Sequence, residues 1–163
     1  MAAVDYFLKI SGVQGESQDS KHKGDIELLS WSWGATNPTN IKGSGMSAGK
    51  VAFSEINITK LVDKSSPKLL ELCVTGKHVA DATLICRKST GGKNPEDFLT
   101  IKLSEVYVSS FQAGGSSGGD QESESLSLSF TKINYDYKMQ QPDGSLVSSG
   151  NIEYDLLKGQ QTA

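Results

Sequence analysis

The chain is poor in the residues that most often carry chemistry: it has 2 cysteines and 2 histidines in 163 residues. Two cysteines, Cys73 and Cys86, make no disulfide framework. They read as small apolar side chains in a reducing compartment, and with His22 and His78 they lack the ligand spacing of a zinc site. Neither histidine stands beside a nucleophile and an orienting acid, and no titratable cluster converges. No catalytic residue, metal ligand or cofactor is therefore assigned, and an enzyme is not expected. Lysine and arginine number 16 against 19 acidic residues, scattered to a net charge of −3, with no basic block; nucleic acid is not an expected partner. No apolar run approaches the about 20 residues of a membrane helix, so membrane insertion is not expected. The start, MAAVDYFLKISGV, lacks a basic stretch followed by an apolar one, so no cleavable secretory signal is expected.

What is present is glycine, serine and short β-forming runs. Period-two patterning and β-branched or aromatic residues predict strands over Asp5–Val13, Ile26–Gly34, Val51–Leu61, Ala82–Lys88, Phe98–Phe111, Ser125–Tyr137 and Ile152–Leu157. In Val51–Leu61 the apolar parity switches between Phe53 and Ile56, which suggests a bulge or a strand covered on both faces. In Ser125–Tyr137, Leu126, Leu128 and Phe130 fall on one face and Ser125, Ser127 and Ser129 on the other. One segment reads as helix, with Ser66 as N-cap, Pro67 at the first position and Gly76 as stop. Leu69, Leu70 and Cys73 share its face, and at about three turns it must dock on something. Residues 15–24 form a polar loop, and Pro142-Asp143-Gly144 signals a turn. The stretch GGSSGG (114–119) has linker composition, but cutting there would leave a C-terminal piece too small to stand alone. It reads as a hairpin loop, and residues 1–163 as one domain, with 150–163 as a candidate mobile tail. The expected fold is all-β and mainly antiparallel: a small β-barrel of two packed sheets with one short α-helix.

Several motifs invite other readings. SGMSAGKV (44–51) is near a phosphate-binding loop, and GSGMSA (43–48) fits a loose dinucleotide pattern. Both patterns need a helix directly after them, and the next residues, VAFSEINI, read as a strand instead. Asn57-Ile58-Thr59 is a formal glycosylation sequon inside a strand. His78, just past the helix, is placed to meet its last carbonyls. Trp31 and Trp33 lie on one face of a strand. They read as core, continuing the parity of Leu29; the alternative is a sugar-stacking platform in a secreted, lectin-like carbohydrate-binding module.

The ordered segments VDYFLKISGVQGES, LLSWSWG, SAGKV, DKSSPKLLELCVTGKH, VSSFQAGGSSGGDQESESLSLSF and INYDY run from about Val4 to Gly144. Together they resemble the Hcp family, the tube-forming proteins of bacterial type VI secretion. The closing SSGNIEYDLLKGQQ is sparser than that family's aromatic-rich final strand. The resemblance implies a barrel subunit that closes into homohexameric rings and stacks into a hollow tube. It further implies partners among effectors, spike and sheath components, and a chain that starts in the bacterial cytoplasm and is expelled as a carrier of cargo. A ring-former needs complementary surfaces and covered strand edges. The long loop 36–50 has almost no core residues. Within it Asn40, Ile41, Lys42, Gly43, Ser44, Gly45, Met46 and Ser47, together with Gly114, Gly115, Ser116 and Ser117, are candidate subunit or ring–ring contacts. If Trp31 and Trp33 are core, strand alternation turns Ser30 and Ser32 outward, where they are candidates for the tube lumen.

Overall fold

The computed structural model describes residues 4–42, 45–88, 95–119 and 121–162. In chain order the elements are β1 (Val4–Ile10), β2 (Ile26–Leu28), β3 (Ser30–Ser32), β4 (Ala35–Thr36), β5 (Thr39–Lys42), β6 (Gly45–Ala48), β7 (Ala52–Phe53) and β8 (Ile56–Leu61). Then come α1 (Ser66–Thr75), β9 (Val79–Lys88), β10 (Glu96–Gly114), β11 (Ser123–Ser129), β12 (Lys132–Gln140), β13 (Leu146–Asp155) and β14 (Gln160–Gln161). All pairings are antiparallel.

Two sheets enclose the core. The larger runs β2-β1-β9-β10-β12-β13-β14, the smaller β10-β11-β8-β3. They share β10, a 19-residue strand that pairs with β12 through Ser104, with β9 through Val106 and with β11 from Tyr107 onward. Glu105, at the crossing, takes φ 49, and Ser109 is skipped in the ladder as a bulge. Both distortions re-aim the strand so that its apolar side tracks the core from one sheet to the other. At the opposite corner β2 and β3 cross between the sheets through Leu29, whose N–H donates to the Thr59 carbonyl at 2.7 Å. The expected barrel is thus two packed sheets joined at two corners, with no closed hydrogen-bonded ring among the described residues. Between them lie Leu8, Ile26, Ile56, Ile58, Leu84, Ile101, Leu103, Leu126 and Leu128, all essentially inaccessible. Each is worth about 1.5–3 kcal/mol of burial. The segments either side of GGSSGG pair with each other, Gly114 opposite Ser123, which is the expected hairpin.

Crossing between sheets also explains where simple alternation fails. The predicted strand 26–34 is two strands. Ile26 and Leu28 are buried, Leu29 is 54% exposed, and the inward parity resumes on Trp31. The tryptophans therefore do not continue the row of Leu29; the corner residue shifts the phase by one. Predicted strand 125–137 likewise divides into β11 and β12, because Phe130 and Thr131 carry the chain from the smaller sheet to the larger. The parity switch in 51–61 is the gap between β7 and β8, where Ser54 N–H donates to the Gly34 carbonyl at 2.8 Å. Residues 36–50 are not a plain loop. β5 and β6 form a separate two-stranded sheet on a stem made by β4 and β7. At the far end, residues 150–161 carry the second half of β13 and all of β14, both in the ladder.

The helix ends where expected, on Gly76 at φ 68, a conformation that glycine adopts without steric cost. Its N-cap is Ser65 rather than Ser66. Its buried face is Leu69 and Leu72, while Leu70 is 44% exposed. The side laid on β10 is the i, i+3 row, with Cys73 half-buried at its margin.

Candidate assembly surfaces

The outward face of the smaller sheet is built from residues that alternate with the core. On β3 these are Ser30 and Ser32; on β8, Asn57 and Thr59; on β11, Ser125, Ser127 and Ser129; on β10, Tyr107, Ser110 and Gln112. The register sets Ser32, Asn57, Ser127 and Ser110 in one cross-strand row, and Ser30, Thr59, Ser125 and Gln112 in the next. Ser127 Oγ donates to Asn57 Oδ1 at 2.6 Å, tying the row together. None of these side chains is charged; the nearest carboxylate is that of Glu55, just before β8, which accepts from Ser109 Oγ at 2.8 Å at the margin of the face. The sequon asparagine Asn57 is spent on this row.

Charge lies on the opposite, core-facing side of the same strands. Lys60 is 0% exposed and sits directly across from Glu124, with Nζ 2.8 Å from Glu124 Oε2 and 3.0 Å from Asp63 Oδ1. It also donates to Ser66 Oγ at 3.2 Å and to the Leu61 carbonyl at 2.9 Å. This draws Ser66 away from capping: its hydroxyl serves Lys60 and the Asp63 N–H. The ammonium is thus fully surrounded by acceptors, which a buried charge requires. The period-two pattern did carry the signal, since Lys60 shares parity with Ile56 and Ile58, and Glu124 with Leu126 and Leu128.

A second set of charges anchors the polar loop 15–24. His22, buried, stacks on Phe7 at 4.6 Å and lies 3.1 Å from Asp25 Oδ2 and 2.9 Å from Asp97 Oδ1. Arg87 also lies over the Phe7 ring, 4.7 Å from its centroid, paired with Asp5 at 3.1 Å and with Asp19. The hydrogen bond from Arg87 holds the Asp19 carboxyl below the ordinary range. At the root of the loop Gly15 approaches Asp25 so closely that a Cβ would stand 2.4 Å from its carbonyl oxygen. The loop thus covers the outer side of β1, and the adjacent buried pair Phe7-Leu8 is its trace in the sequence. No three His, Cys, Asp or Glu side chains among the described residues are grouped to hold a metal. His78 sits against Tyr107 at 5.3 Å. Burial pushes the Cys86 thiol up to about 12.

Trp31 and Trp33 are half-buried and packed on the core. Trp31 meets Tyr6 edge-on at 6.3 Å, and Trp33 stacks on Phe53 at 6.2 Å beside Tyr135. With Ile133, Ile152 and Tyr154 these last three line an apolar groove of about 490 Å³. The rings are spent on one another, not arrayed as an open platform.

The two candidate contact segments stand at opposite ends of the smaller sheet. β3, β8 and β11 each run between the end marked by Trp33, Ile56 and Ser129 and the end marked by Leu29, Leu61 and Ser123. The hairpin bearing Asn40, Ile41, Lys42, Gly45, Met46 and Ser47 leaves from the first end; Gly43 and Ser44 lie outside the described residues. Gly114, Gly115, Ser116 and Ser117 lie at the second end and are exposed.

The described residues thus form a two-sheet antiparallel shell with one short helix, a hairpin leaving one end and an exposed Gly/Ser loop at the other. Residues 7–137 match the family model described as type VI secretion system effector, Hcp. Over 153 residues, 93% of each chain, the sequence is 42% identical to protein hcp1 of Pseudomonas aeruginosa. A solved type six secretion system protein superposes with a TM-score of 0.92 at 30% identity, covering 98% of this chain and 100% of that one. The crystal structure of Hcp1 from Salmonella typhimurium gives 0.76 at 31%, covering 99% and 100%. The chain belongs to the Hcp family, the tube proteins of type VI secretion. No described helix is long and apolar enough to cross a membrane.

Proposed function

We propose that the chain closes into a hexameric ring, that rings stack into a hollow tube, and that the uncharged face of β3, β8, β11 and the end of β10 lines the bore. In this reading the tube assembles in the bacterial cytoplasm with spike and sheath components, carries effectors, and is expelled with them. The observation that carries it is that face itself. Solvated sheet faces ordinarily carry charge, and a bore that passes varied cargo is served by small neutral hydroxyls and amides that neither select a sign nor adhere through apolar contact. Among the described residues the smaller sheet also ends in two unpaired edges, β3 on one side and residues 107–114 of β10 on the other. Exposed edges invite another strand. Joining one copy's β3 edge to the next copy's β10 edge continues the sheet around the bore, a heterologous contact that closes under rotation.

The test places a thiol at position 32 (Ser32→Cys) in a Cys73→Ala background; Cys86 stays, since its buried thiol is protonated at neutral pH. In isolated rings a small maleimide labels it, and a maleimide on a polymer too wide for the bore does not. Equal labelling by both puts Ser32 on the outside, and labelling by neither puts it in an interface; either result overturns the bore assignment.

A further inference from the structure

The neutral face of the smaller sheet changes character at one end. Among its described side chains Tyr107 is the one aromatic, and it is 40% exposed. The ring stands on the side of β10 away from the core, to which its neighbours Val106 and Val108 belong. His78 backs it, 5.3 Å away between ring centroids and tilted by 39°. The next residue, Val79, pairs with Val106, so the ladder itself carries the imidazole to the tyrosine.

Glu55 stands at the same end. It lies one step past Ile56, the partner of Leu128, and so comes level with Ser129, which pairs with Tyr107. Its carboxylate reaches across β11 to accept from Ser109 Oγ at 2.8 Å, which fixes it on β10 two residues beyond the tyrosine. Residues rise about 3.3 Å each along a strand, so ring and carboxylate are about 7 Å apart in strand position. Glu55 is exposed and has no ion-pair partner among the described residues. A carboxylate beside the electron-rich face of an aromatic ring suits a cation. A guanidinium fits it better than an ammonium, because its plane lies on the ring while its N–H fork reaches the carboxylate.

We infer that Tyr107 and Glu55 form a binding site for arginine side chains on the surface of another protein. Its place in a tube rests on the proposed bore. There the site recurs in every copy, so each ring carries a band of such sites at the Trp33 end of its strands. Cargo is held at the band by its exposed arginines, and the serine rows beyond let it slide.

The probe is a dye-labelled hexa-arginine peptide, followed by fluorescence anisotropy at about 0.15 M salt. Tyr107→Ser and Glu55→Gln should each weaken its binding about fivefold. Tyr107→Phe should leave it unchanged, since the ring face is used and not the hydroxyl. Glu27→Gln, at an exposed carboxylate near the opposite end of the sheet, should also leave it unchanged. Hexa-lysine should bind less tightly than hexa-arginine. A loss with Glu27→Gln equal to that with Glu55→Gln would mean attraction to net charge alone. A loss with Tyr107→Phe equal to that with Tyr107→Ser would mean a hydroxyl hydrogen bond. Either result overturns the site. Rings of Tyr107→Ser that fall apart by light scattering would put the tyrosine in the seam between copies and overturn it too. The expected binding pattern in a protein of monomer mass would keep the site and overturn the bore instead.

Discussion

Lys60 shows how one residue is held against its own preference. An ammonium at 0% exposure is stable because Glu124 and Asp63 balance its charge and, with Ser66 and a carbonyl, accept its hydrogen bonds. Removing one side should cost more than the pair is worth. Lys60→Met should destabilise by about 3–5 kcal/mol, because Glu124 is then buried without its cation. Lys60→Met with Glu124→Leu should return to wild-type stability or exceed it. Urea midpoints decide: a single variant costing under about 1 kcal/mol would mean that water reaches Glu124. The parity of both residues was legible in the sequence. Their partnership was not, because it depends on the register of β8 against β11, which no local pattern states.

Among the elements, β1, β9, β10 and the helix with its Gly76 stop were read correctly in kind and nearly in bounds, although β10 passes from one sheet to the other. Runs broken at a corner into separate strands were read as too few. Leu29, Ser54-Glu55 and Phe130-Thr131 each interrupt a run of strand-forming residues whose composition gives no sign of a corner. The β5–β6 hairpin was missed because glycine and serine carry little strand propensity. Its tie to the body is the stem, and this gives an expectation at the same scale. Deleting residues 40–47 should move the urea midpoint by less than about 1 kcal/mol, since shortening a connection changes closure entropy little. It should abolish filaments seen by negative stain while rings persist. Loss of folding would show instead that the hairpin stabilises its own subunit.

For the whole molecule, two kinds of contact are expected to differ in salt response. In the proposed assembly, ring closure through sheet edges would rely on backbone hydrogen bonds and apolar packing. Stacking through the polar ends of the subunit would rely in part on exposed charge, which salt screens over about 10 Å at 0.1 M. Raising salt should therefore dissolve stacks first, leaving by light scattering a species near six times the 17.4 kDa chain. Stacks that outlast rings would reverse that order and the assignment of contacts behind it.

By itself the sequence determined the β-rich class, the single helix, the hairpin across GGSSGG and the family, because these rest on local periodicity, turn chemistry and an ordered set of motifs. It also determined that Ser30 and Ser32 face away from the tryptophans. The tertiary structure decided which strands change sheets, that Leu29 lies outside the core row, and that Lys60 meets Glu124. It also gathered Ser32, Asn57, Ser127 and Ser110 into one uncharged row. These facts depend on strand order and register between residues as much as 78 positions apart, as from Ser32 to Ser110. Alternation along one strand fixes which way a side chain points; only packing the sheets fixes what it points beside.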